Sequence, residues 1–141
     1  MSKLKPKSNL DKYYKTNQTM ETEGNRFQID ENVRFRCKRF GGKNRDAVRK
    51  AEIQYRKPFA RLIEAGRLSA EKEVAIGVKV FVDACLVDWE GVEWEGKPLE
   101  FSFDNAVMLL TEYPDLATEL MIHSGSTQNF QDEDREALGN S

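Results

Sequence analysis

The chemistry open to this chain is bounded by a few side chains. His123 is its only histidine. A histidine-based metal cluster is therefore excluded, and a Cys–His or Ser–His pair has a single base to draw on. His123 falls in the last turn of a helical pattern, where the dipole favours an imidazolium, and it reads as a surface or capping residue. Cys37 and Cys85 are far apart and form no CxxC pair. One sits in a strand-like alternation and the other on an apolar helix face, so both are expected as reduced, packed thiols, which suits a cytoplasm. No Walker loop, GxGxxG or GxSxG occurs, and Gly41-Gly42-Lys43-Asn44 lacks the spacing of a phosphate loop. Asp83, Asp88, Glu90, Glu93 and Glu95 form one carboxylate cluster. Their spacing matches no calcium loop, and glutamates alternating around tryptophan describe a solvated strand face. These residues predict no enzyme, no metal site and no cofactor.

The tryptophans carry more information. Trp89 and Trp94 flank a glycine turn and are bracketed by acids. Aromatic rings with an acidic rim suit a binding face for a basic partner segment. Trp89, Trp94, Phe101, Phe103, Glu90 and Glu93 are the candidate partner-binding residues. One of the two tryptophans is expected to lid the core instead.

Those residues must be positioned by the elements around them. Phe27 and Ile29, then Val33 to Lys38, alternate with polar residues and predict a small N-terminal β-hairpin turning at Asp30-Glu31-Asn32. Its outer face would carry Arg34, Arg36 and Lys38. Asn44 is expected to cap a helix from Arg45 to Ala65, with Val48, Ala51 or Glu52, Tyr55, Phe59, Leu62 and Ile63 at helical spacing. Pro58 should kink or divide it near Arg56, and Gly66 should close it. Ser69 opens a central buried helix in which Val74, Val78, Phe81, Val82, Cys85 and Leu86 recur on one face, with Ile76, Val80, Ala84 and Val87 beside them. Asp88 to Phe101 holds two glycines and a proline and predicts a short tryptophan-containing hairpin, Val92–Trp94 against Leu99–Phe101. Ser102 caps a helix to Tyr113, and Pro114 starts another that runs to Ser124. The fold class is α+β, predominantly α-helical.

A chain of 141 residues suits one domain. The reading is a disordered basic arm over 1–25, a single globular domain over 26–130 and a flexible acidic tail over 131–141. The N-terminal lysines have no apolar run behind them, so no signal peptide is read, and no window reaches the length of a membrane span. Net charge is only −2, yet basic residues exceed acids by about ten before Ile63 and acids exceed bases by about twelve from there on. Such a split invites a polyanionic partner, head-to-tail self-association, or simply two solvated faces. A nucleic-acid-binding accessory protein would use Lys43, Arg45, Arg49, Lys50, Arg56 and Lys57, although these spread around the helix rather than forming one stripe.

Several stretches, in this order, resemble tail assembly chaperones of long-tailed (siphovirus-type) bacteriophages. They are Arg36-Cys37-Lys38-Arg39-Phe40-Gly41-Gly42 before a basic helix, Phe81-Val82-Asp83-Ala84-Cys85-Leu86-Val87-Asp88-Trp89-Glu90-Gly91-Val92, a Gly96-Lys97-Pro98 turn, Phe101-Ser102-Phe103-Asp104-Asn105-Ala106, and Tyr113-Pro114-Asp115-Leu116. The resemblance spans about residues 26–130. It implies a non-enzymatic protein of the host bacterial cytoplasm that binds the tape-measure protein and keeps it soluble while tail-tube protein polymerises around it. In that family a longer, frameshifted form often recruits the tube subunits. A structural subunit retained in the virion tail is the neighbouring alternative. The resemblance assigns no residue roles, so the partner-binding candidates rest on their own chemistry.

Overall fold

The computed structural model describes residues 7–132. The fold is α+β and predominantly helical, built on one central helix, Ala70–Ala84, and a three-stranded antiparallel sheet. Before them come two short helices, α1 (Asp11–Tyr14) and α2 (Gln18–Glu23). Strands β1 (Asn25–Gln28) and β2 (Arg34–Cys37) follow as the expected hairpin. Asp30 sets its turn, accepting the backbone N–H groups of Asn32 and Val33 at 2.8 Å each. Those two bonds hold the Asp30 carboxyl below its ordinary pKa.

Helix α3 (Arg45–Arg56) gives way at Pro58 to a 3₁₀ turn and then to α4 (Ala60–Glu64), the expected division. Gly66 ends α4 in the left-handed region, with Arg67 N–H bonded back to Leu62 C=O. Helix α5 (Ala70–Ala84) is capped by Ser69, whose hydroxyl accepts the Lys72 N–H at 3.2 Å. Ile76, Val78, Val80, Phe81, Val82 and Ala84 are buried along it, and α3 and α6 (Phe103–Glu112) both pack against it. Helix α7 (Pro114–Gly125) packs on α6, with Pro114 in its first turn. Val74, expected on the buried face of α5, is 64% exposed.

Helix α5 stops at Ala84 rather than reaching Val87. Leu86–Glu90 instead forms strand β3, paired antiparallel with β2 and completing the order β1-β2-β3. Helical spacing of Leu86 and Val87 with the preceding apolar residues conceals this. Backbone pairing to β2 wins, and a bulge leaves Val87 without a partner, so Leu86 and Trp89 both turn inward although they are three apart. Phe35, Cys37, Leu86 and Trp89 then form the buried face of the sheet beneath α5. After β3 the chain passes so close to the first hairpin that a Cβ on Gly91 (φ +79°) would lie 1.9 Å from Asn32 C=O.

The tryptophan hairpin is shorter than its sequence suggests. Strands β4 (Glu93–Trp94) and β5 (Lys97–Pro98) pair Glu93 with Pro98 and Trp94 with Lys97. Glu95 and Gly96 both have positive φ, the geometry of a two-residue turn matched to strand twist. Leu99 adds one bond to Val92 C=O, and Phe101 lies outside the strands.

The described part of the expected disordered arm is folded. Asn17 caps α2 by accepting the Met20 N–H, and its own N–H bonds Phe130 C=O at 2.7 Å. Glu21 is 3% exposed and meets Arg39 Nη1 at 3.1 Å, while the Arg39 guanidinium lies over the Phe130 ring. Gly42 is needed beside this pair, since a Cβ there would lie 2.3 Å from the Glu21 carboxylate. A lone glutamate in a polar segment gives no period from which such packing could be read. Most of the acidic tail expected over 131–141 lies outside the described residues.

Candidate functional site

Trp89 shows how the site is built. Its register opposite Phe35 places the ring on the buried face, 6.0 Å from Phe35 edge-on and 4.9 Å from Phe101 in a T-shaped contact. The indole N–H donates to Leu99 C=O at 2.8 Å, tying the segment after the tryptophan hairpin back to β3. Trp89, Gly91, Val92, Glu93, Pro98, Leu99, Glu100 and Phe101 thereby line an open groove of about 430 Å³. Its floor is apolar and aromatic. Glu93 and Glu100 stand exposed on its rim, and neither forms an ion pair among the described residues.

Three of the six candidate residues, Trp89, Glu93 and Phe101, meet in this groove. The other three lie elsewhere. Trp94 is half-buried and points its ring toward Tyr113, at 6.4 Å and 73°. Phe103 stacks nearly parallel on Tyr55, at 6.0 Å, joining α6 to α3. Glu90 faces the outer side of the sheet and pairs with Arg34. Trp89 is the tryptophan that belongs to the core. Val92, Leu99 and Glu100 complete the groove, and only the alternation around the Glu95-Gly96 turn hinted at them.

The strand face expected to be basic is partly offset by acids of β3. Asp88 stands opposite Arg36 and Glu90 opposite Arg34, over a second shallow concavity of about 400 Å³ that Arg26 also lines. Lys38 lies beyond the strand and is half-buried. Of the helix cations, Arg56 is held by Glu52 at 3.0 Å and Glu73 at 2.6 Å, which raises its pKa and lowers that of Glu73. Asn44 does not cap α3. It is buried and donates to Arg39 C=O and Ala84 C=O, pinning the start of α3 to the end of α5.

The groups with reactive potential are withdrawn from solvent or dispersed. His123 is buried, not superficial, because its ring packs 4.8 Å from Phe27 and 6.2 Å from Phe130. Burial pushes its pKa down. The Cys37 and Cys85 thiols are free, and burial pushes both up to about 12. The five acids of the sequence cluster scatter, Asp88 and Glu90 to the sheet, Glu93 and Glu95 to the hairpin, and Asp83 to the end of α5. No group of three His, Cys, Asp or Glu among the described residues could hold a metal ion. Among the same residues no helix is long and apolar enough to cross a membrane.

Helices around one buried helix, with a small sheet and an open apolar groove beside it, define a small α+β protein. Its origin is more specific. Residues 42–140 match the model of the YdaY prophage protein family, and the chain belongs to that family. It is therefore a phage-derived protein. No curated protein and no solved structure matches the chain.

Proposed function

We propose that this protein is a non-enzymatic tail assembly chaperone that works in the host cytoplasm, binding the tape-measure protein reversibly and keeping it soluble until tail-tube protein polymerises around it. The observation that carries this reading is the groove beside the tryptophan hairpin, an aromatic floor with two exposed glutamates on its rim that form no ion pair among the described residues. A groove of this kind takes an amphipathic helix whose apolar residues are flanked by lysine or arginine. Being shallow, it binds weakly, and many copies along one elongated client supply the affinity that one copy lacks. Phage origin agrees with the reading, as does the ordered set of motifs around Trp89.

Co-expression with the tape-measure protein of the same phage tests it. The client is expected to become soluble and to co-purify with the wild-type chain. Glu93→Lys with Glu100→Lys, both exposed, should release the client without altering the helical circular-dichroism signal. An insoluble client beside a well-folded chain overturns the proposal. So does salt-sensitive binding of DNA or RNA at micromolar concentration, or recovery of the chain in purified virions at the stoichiometry of a tail subunit.

A further inference from the structure

Two exposed helix faces in this molecule are opposite in charge and alike in shape. Helix α3 buries Ala51 and packs Val48 and Tyr55 against the core. Its other side therefore carries Ile53, which is 65% exposed. Arg49 and Lys50 lie one turn before Ile53 and Lys57 one turn after, all three exposed. Asp46 reaches Arg49 only at 3.8 Å, with both side chains mostly in water. Helix α7 buries Ala117, Leu120 and Ser124. Its other side carries Ile122, 63% exposed, with Glu119 and Thr118 one turn before it and Asp115 two turns before. No lysine or arginine occurs in α7. The α7 face is thus an exposed isoleucine with only acids for charged neighbours, and the α3 face an exposed isoleucine beside three cations and one acid, Asp46, a net positive patch.

We infer that these faces are the two halves of one interface, so that the α3 face of one copy docks on the α7 face of another. Ile53 and Ile122 supply the apolar contact. Arg49, Lys50 and Lys57 meet Asp115 and Glu119, which fixes the partner and the register. Like faces repel, so α3 does not pair with α3, nor α7 with α7. The contact is heterologous, and each added copy presents a fresh face to the next. One helix face per partner buries far less than the ~800 Å² a side of a stable complex, so free copies associate weakly and reversibly. The charge division along the sequence becomes a rule for lining up copies. It requires no client and stands independently of the chaperone reading.

Light scattering coupled to size exclusion tests the pairing on the full chain. At about 50 mM salt the mass should rise above the 16.2 kDa monomer as protein concentration rises toward the millimolar range. At about 500 mM it should return to monomer. Arg49→Glu with Lys50→Glu, and separately Asp115→Lys with Glu119→Lys, should each give a monomer with the wild-type circular-dichroism spectrum. An equimolar mixture of the two variants should associate again, because each reversed face now complements a reversed or native face on the other. A wild-type chain that stays monomeric at low salt overturns the inference. So do variants that associate like wild type, or a mixture that remains monomeric.

Discussion

Trp89 and Trp94 are five residues apart and lead opposite lives. Trp89 is 8% exposed, contacts two rings and satisfies its N–H internally. Trp89→Ala should cost about 3–5 kcal/mol and lower the thermal midpoint markedly. Trp94 keeps one side in solvent and one edge-on partner, Tyr113, a contact of about 0.5–1.5 kcal/mol. Trp94→Ala should therefore leave the helical signal intact while weakening client binding, since it sits on the strand that carries the groove's rim. Unfolding of that variant in circular dichroism would place the binding determinant elsewhere. His123 supplies a second test. Its pKa is lowered in the folded state, so the unfolded chain binds the proton more readily. Stability is then full above the ordinary value of about 6.5 and falls as pH drops through it toward the folded value. His123→Phe keeps the packing against Phe27 and Phe130 and should flatten that slope below about pH 6.5. An unchanged slope would assign it to other groups.

Among the elements, the N-terminal segment changes most between sequence and structure. Helix α2 contributes the Glu21 carboxylate to Arg39, accepts the Arg39 backbone N–H, and lies beside the 3₁₀ turn at Phe130. Deleting residues 1–24 removes this carboxylate and strips the cover from Arg39. A broken buried pair costs about 3–5 kcal/mol, or on the order of 10 °C in thermal midpoint for a chain of this size. A deletion variant that melts with the wild type would show the segment to be a dispensable arm. Strand β3 makes the complementary point. Its residues look helical beside α5, and only the free edge of β2 gives them a better partner.

At the scale of the molecule, the sheet, α5 and the helices packed on it share one hydrophobic cluster, into which Trp89 and the half-buried Trp94 both pack. Denaturant unfolding should therefore be a single transition, with tryptophan fluorescence and far-ultraviolet circular dichroism coincident. Separate midpoints would divide the fold into independent units. The same scale accounts for the charge. Basic α3 and acidic α7 both anchor to the shared helical core through their apolar sides, so their charged sides are left to water and to other copies.

Much of the architecture was legible along the chain because its causes are local. Ser69, Ser102 and Pro114 start helices by satisfying or lacking backbone N–H groups, Pro58 divides one, and Glu95-Gly96 turns a hairpin. The α+β class, the buried central helix and the importance of the tryptophan segment follow from such signals. What depends on residues distant in sequence was decided only by the tertiary fold. Pairing to β2 made a strand of Leu86–Glu90, set acids opposite Arg34 and Arg36 and sent Trp89 inward. Arg39 gave Glu21 a buried partner, Phe27 and Phe130 enclosed His123, and Ala84 drew Asn44 away from its cap. In each case a backbone edge, a charge or a ring found a better partner across the fold than its own neighbours could offer.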